Sequence, residues 1–183
     1  MSKVPVELPS AVPVSSFRAL MAQFPSGVAI VTALDGDGRP WGMTCSSVCS
    51  VTPDPPTLLV CLRDQSPTLG AILERAAFTV NLLHQHAQPV AELFASGAPD
   101  RFDRIRWDIS PTAGGPHLPQ YATATADCKV SRTERVGDHV VVFGEIVHVS
   151  VRSDNVPLLY GLRQYHAWPY HDIGQHPHQL AMP

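Results

Sequence analysis

Apolar positions change period along this chain, and the changes mark out its elements. From Ser16 the residues Phe17, Leu20, Met21 and Phe24 recur at i, i+3, i+4 and i+7. That spacing predicts a short amphipathic helix with Ser16 as N-cap and Pro25-Ser26-Gly27 as its stop. The texture then turns β-branched in "GVAIVTAL", and "DGDGR" is a turn cluster leading into a second extended run, Trp41 to Thr52, so a hairpin is expected. "PTLLVCLR" reads as a buried strand. After it, in "DQSPTLGAILERA", Ser66 stands where an N-cap belongs and Pro67 at the first helical position, so a helix begins there. "AFTVNLL" returns to strand, and "QPVAELFAS" is a short helix. "SPTAGGPHLPQ" is a loop. Two long runs, "ATATADCKVSRTERV" and "HVVVFGEIVHVSV", flank Gly137-Asp138 and form a two-stranded ribbon with a tight turn.

About six strands with two or three short helices, joined mostly through turns, favour a mainly β fold. The expected architecture is an antiparallel barrel with helices over its openings. No strand leads into G-x-G-x-x-G, so a doubly wound dinucleotide fold is disfavoured. The chain divides into an extended proline-bearing arm (1–14), one domain (15–170) and a tail (171–183).

Composition narrows the partners. With 13 basic and 16 acidic residues the net charge is -3, so no polybasic footprint for nucleic acid or an anionic membrane exists. No apolar run approaches the roughly 18 residues of a membrane span, and the first ten residues lack a secretory apolar stretch. A cytoplasmic protein is expected. Its four cysteines, at 45, 49, 61 and 128, contain no C-x-x-C and read as thiols. His84-x-His86, placed on one strand face, and His171, His176 and His178 in the tail lack carboxylate or thiol companions, so surface histidines are favoured over a metal. Serine-hydrolase and phosphate-loop motifs are missing.

The stretch "GMTCSSVCSVTPDPP" is the densest in small hydroxyls. Read as one strand, alternation puts Thr44, Ser46, Val48, Ser50 and Thr52 on one face and Met43, Cys45, Ser47, Cys49 and Val51 on the other. Small side chains let a planar ligand approach the backbone. On that strand Cys45 and Cys49 stand about 13 Å apart, too far to pair. Asn81, inside an apolar strand, must satisfy its amide either within the fold or against a ligand.

Five segments in order, "FPSGVAIVTALDGDGRPWGMTCSSVCSVTPDPPTLLVCL", "SPTLGAIL", "FTVNLL", "GDH" followed by "VFGEIV", and "PLLYGLRQYH", resemble the flavin reductase family with the FMN-binding split-barrel fold, over residues 16–168. Cys49 and Thr52 depart from that family's usual small-residue pattern. The resemblance implies an antiparallel split β-barrel of Greek-key type with a few short flanking helices. It also implies a homodimer that passes a hydride from NADH or NADPH to FMN or FAD and supplies reduced flavin to a separate monooxygenase. For the flavin ring and ribityl chain it points to Met43, Thr44, Cys45, Ser46 and Ser47, with Ser50 and Val51 at the polar edge and Cys61 and Leu62 beside them. For the phosphate it points to Arg63, Ser66 and Thr68, at a helix N-terminus. Asn81 is a further candidate, and Phe102 is a candidate shield with Arg101 or Arg104 near dinucleotide phosphates. His139 of the GDH segment is the expected nicotinamide contact, with Tyr165 and His166 completing that pocket. No catalytic acid or base is assigned, because hydride transfer needs none at the reacting carbon. The rival readings are a non-catalytic flavin- or haem-binding split barrel and a bare dimerisation scaffold.

Overall fold

In the computed structural model, which describes residues 11–110, 113–152 and 155–169, the barrel follows from how one polar pair is placed. Strand β1 is Ser26–Gly27, β2 Ala29–Leu34, β3 Pro40–Cys45, β4 Val48–Pro53 and β5 Pro56–Arg63. Strands β6 (Ala77–Leu83), β7 (Ala122–Val136), β8 (His139–Val151), β9 (Leu158–Gly161) and β10 (Gln164–Ala167) complete the set. Seven of them form one antiparallel sheet in the order β3-β2-β6-β7-β8-β5-β4. Its two edge strands, β3 and β4, are consecutive in the chain and joined only through Ser46-Ser47. The two edges are therefore brought together at that dipeptide, and the sheet curls into a barrel that stays split between β3 and β4. Cys61 N–H donates to Ser47 O at 3.2 Å, which extends the β4–β5 ladder back to the second serine.

This corrects the expectation of one strand from Trp41 to Thr52. The run is two strands that change partner at Ser46-Ser47, from β2 to β5, because a closing sheet needs a strand that leaves one neighbour for another. A register shift between Ser50 and Thr52 further breaks the expected alternation. The described residues also hold ten strands rather than about six, the extra ones being short. β1, β9 and β10 make a separate three-stranded sheet.

Five of the six residues of β2 are buried, because both of its faces are covered. Val31 faces the barrel interior with Val60, Leu62, Phe78, Val80 and Val142, while Ile30 packs outside with Leu83, Phe94, Leu118 and Leu158. Helix α2 (Pro67–Arg75) inserts Leu69 and Ile72 into the interior core, and α3 (Gln88–Ser96) supplies Phe94 to the outer one. The chain at 113–118 runs across β2 and β6 so closely that a Cβ on Gly115 would lie 2.3 Å from Thr32 O, so only glycine fits. The β7–β8 ribbon turns at Gly137-Asp138, with Val136 opposite His139 and Gly137 at φ +59°, where the missing Cβ removes the left-handed penalty.

Helix α1 (Val14–Ala22) starts after Pro13, with no side-chain cap, so Ser16 lies inside it. None of its residues is buried. His84 and His86 do not share a strand face, since β6 ends at Leu83 and His84 caps a 3-10 turn, accepting from His86 N–H at 3.1 Å. The first ten residues of the proline-bearing arm and the tail histidines lie outside the described residues. No described helix is long and apolar enough to cross a membrane.

Candidate active site

Strand β3 has no partner on its outer edge in the sheet order, and a cleft of about 580 Å³ opens beside it. The α2 N-terminus borders it on one side and the α3–Arg101 segment on the other. Met43, Thr44, Arg63, Ser66, Thr68 and Arg101 all line this cleft, so the structure brings together six of the sequence-derived candidates.

Their chemistry there is specific. Ser66 occupies the N-cap position of α2 but does not cap it; its hydroxyl donates to Met43 Sδ at 3.4 Å. The first-turn N–H groups of α2 thus lack a side-chain acceptor. Thr68 is buried, yet its hydroxyl makes no hydrogen bond among the described residues. Arg63 is exposed at the rim. A helix N-terminus, an unpartnered hydroxyl and an exposed cation without a salt bridge among the described residues together suit an anion, and a phosphate ester fits them. Thr44 is committed differently, donating to Ala91 O at 2.6 Å and thereby tying β3 to α3.

His139 reaches the same end of the barrel through strand register. It pairs directly with Arg63 across β5 and β8, and Asp64 N–H donates to Asp138 O at 3.0 Å. Asp64 also carries an ion pair with Arg135, which ties the turn to the segment leading into α2. His139 Nδ1 lies 2.8 Å from Asp138 Oδ1, and that bond holds the Asp138 carboxyl below its ordinary range. The His139 ring keeps a half-exposed side chain.

Other candidates are placed elsewhere. Ser46 and Ser47 line a hollow of about 720 Å³ between β4, α1 and the β9–β10 turn, and Ser50 and Val51 line a more apolar groove of about 630 Å³. Cys45 and Leu62 are core side chains, and Cys61 is half-buried. Asn81 is fully buried: its Nδ2 reaches Ile30 O, Thr32 Oγ1 and Pro116 O at 3.2–3.3 Å, while Oδ1 accepts from Leu118 N–H at 2.9 Å. It binds the 113–118 segment and not a ligand. Phe102 is not a shield but a buried ring, edge-on to Phe94 at 5.0 Å, beneath Gly42. Tyr165 packs on Tyr160 in the outer core, at a centroid distance of 5.1 Å, and shares no cleft with His139. Arg104 is exposed in a turn.

Sequence reasoning missed Trp41, which lines the cleft. It also missed the buried group of Thr79, His117 and Asp127, in which Asp127 Oδ1 accepts from Thr79 Oγ1 at 2.7 Å and lies 2.8 Å from His117 Nε2. A carboxylate in the half of β7 that alternates alanine and threonine, ATATAD, was the available signal. Among the described residues no group of three or more metal-ligating side chains occurs.

The thiols are chemically quiet. Burial pushes Cys45 up to about 11 and Cys128 up to about 12, and burial also raises Cys61. At pH 8 an aromatic disulfide reagent should therefore label exposed Cys49 first and Cys61 more slowly, with Cys45 and Cys128 reacting only on unfolding. Four equally fast thiols would contradict this.

A split barrel carrying an anion-ready cleft at its seam, beside a half-exposed histidine turn, defines a ligand-binding β-barrel suited to a phosphate-bearing ligand. Residues 21–169 match the family described as "Flavin reductase like domain", and the chain belongs to that family. It is 50% identical over 151 residues to a flavin reductase (NADPH) of Lentzea aerocolonigenes, covering 82% of this chain and 88% of the relative. It is 39% identical over 168 residues to a flavin reductase (NADH) of Kitasatospora aureofaciens, covering 91% and 88%. Among solved structures, the NADH:FAD oxidoreductase of Streptomyces globisporus C-1027, in complex with NAD and FAD fragments, superposes with a TM-score of 0.82 at 26% identity. That match covers 91% of this chain and all of that one. Further relatives are named as reductase subunits or components of two-component flavin enzymes.

Proposed function

We propose that this flavin reductase carries a hydride from NADH or NADPH to FMN or FAD at the β3 edge, with the flavin phosphate on the α2 N-terminus and the nicotinamide beside His139. The observation that carries the reading is the register pairing of Arg63 with His139. It joins the anion-ready end of the cleft to the GDH turn, two motifs more than 70 residues apart. The flavin, when bound, supplies the hydride acceptor. The chain's own residues bind and orient: Arg63, Ser66 and Thr68 take the phosphate, Met43 and Thr44 form the wall, and Ser46 and Ser47 line the neighbouring hollow. His139, anchored by Asp138, sets the nicotinamide face and moves no proton. Anaerobic reduction of FMN and FAD by NADH and by NADPH tests the activity, and no turnover with any pair would refute it. His139→Ala should raise the KM for the nicotinamide donor about tenfold while flavin affinity holds. An unchanged donor KM would remove His139 from the site.

The non-catalytic binder is the weaker reading, since a storage protein has no use for the tethered GDH turn. A separate monooxygenase is the fitting consumer of reduced flavin. For the homodimer, the support is an exposed apolar strip. Val51, Leu82, Val147, Val149 and Val151 are 41–73% exposed, and the groove beside β4 is lined by apolar side chains. A second copy of this chain would cover it. Val149→Glu combined with Val151→Glu should convert a dimer into a monomer in sedimentation, and an unchanged mass would place the interface elsewhere.

A further inference from the structure

The cleft beside β3 is larger than one phosphate requires, and its wall also carries Arg101 and Trp41, which the flavin phosphate does not use. Arg101 is 8% exposed. Its Nε donates to Gly42 O at 2.9 Å, and its Nη1 donates to Ala98 O at 2.8 Å and Gly97 O at 3.4 Å. Its guanidinium carbon lies 5.9 and 5.8 Å from the ring centroids of Phe94 and Phe102. Among the described residues it has no carboxylate partner, and Nη2 makes no hydrogen bond. Carbonyl dipoles and ring faces soften the desolvation of a buried guanidinium but leave its charge without a counter-ion. The wall of the cleft thus offers a second cation, fixed in place, in addition to Arg63.

Trp41 lines the same cleft and is half-buried. Its indole Nε1 donates to Asp35 Oδ2 at 2.9 Å, and Asp35 Oδ1 accepts from Asp37 N–H and Arg39 N–H at 3.0 and 2.8 Å. The ring is therefore held by the β2–β3 turn before any ligand arrives. A preset aromatic surface binds a planar base with little ordering cost.

We propose that this cleft is a half-site for the adenosine diphosphate portion of FAD, with Arg101 on the second phosphate and Trp41 against the adenine, so that the chain prefers FAD to FMN. The proposal rests on the reading that the α2 N-terminus, Arg63, Ser66 and Thr68 receive the first flavin phosphate. FMN makes those first contacts and none of the additional ones, which makes it an internal control.

Equilibrium titrations of the full chain with FAD, FMN and riboflavin, followed by flavin fluorescence, test it. Wild type should bind FAD at least about tenfold tighter than FMN, the increment expected of one added charged hydrogen bond. Arg101→Gln should remove most of that ratio with the FMN Kd unchanged, and Trp41→Leu should reduce it severalfold. Arg101→Lys, which keeps the charge, should retain part of it; together with Trp41→Leu it carries the test if Arg101→Gln fails to fold. Equal binding of FAD and FMN by wild type overturns the proposal. So does a parallel loss of both flavins in Arg101→Gln, which would make Arg101 a support for β3 alone. An unchanged FAD:FMN ratio with a raised KM for NADH or NADPH also overturns it, by assigning the cleft to the nicotinamide dinucleotide. If wild type binds FMN no better than riboflavin, the phosphate reading beneath the proposal fails, and the proposal fails with it.

Discussion

Replacing Asn81 by Leu is expected to lower the stability of the folded chain by about 3 kcal/mol while leaving flavin affinity where it was. Leucine has asparagine's branching and is larger, so the substitution opens no cavity. The loss comes from the amide. Its Oδ1 is the acceptor for Leu118 N–H, and its Nδ2 bridges Ile30 O on β2 to Pro116 O on the segment beyond. With leucine there, Leu118 N–H is buried with no acceptor, a cost of about 1–3 kcal/mol in itself. Chemical denaturation should show a lower midpoint with an unchanged slope, since the surface exposed on unfolding stays the same. A variant with the wild-type midpoint and a tenfold weaker FMN Kd would return Asn81 to the ligand site.

Arg63→Ala should weaken FMN binding by about tenfold or more, the usual loss of a charge-assisted contact to phosphate. Riboflavin, which has the same ring and ribityl chain but no phosphate, should bind wild type and variant alike. That contrast separates a phosphate ligand from a residue that merely supports β5. Thr68→Val should follow the same pattern with a smaller change, because a neutral hydroxyl contributes less than a guanidinium. The effect of Arg63 should also shrink as salt rises, since the side chain is exposed at the rim. Equal losses for FMN and riboflavin would place the phosphate away from α2.

Local patterns carried most of the element assignments, for reasons that are themselves local. Pro67 after Ser66 starts α2 because a missing N–H costs nothing at the first turn. Gly137-Asp138 turns the ribbon because the left-handed backbone there excludes a Cβ. The motif resemblance added the barrel, its ligand class and the six residues that meet in one cleft. Alternation misled at Ser46-Ser47, where nothing in the two serines says that the strand trades β2 for β5. The same limit applies to Asn81 and Phe102. A polar or aromatic residue in an apolar run looks identical whether it binds a ligand or a loop, and here the partners are the 113–118 segment and Phe94.

The sequence by itself determined where most of the longer strands and helices form, that the thiols have no paired or metal-binding spacing, and which five motifs line up with a flavin reductase. Those properties depend on residues a few positions apart. Only the tertiary structure decided that the candidates divide among three hollows, that Arg63 faces His139 across a strand pair, and that Arg101 is a buried cation without a counter-ion among the described residues. Each of these depends on strand order and on closure of the sheet, which bring together residues that the chain keeps dozens of positions apart.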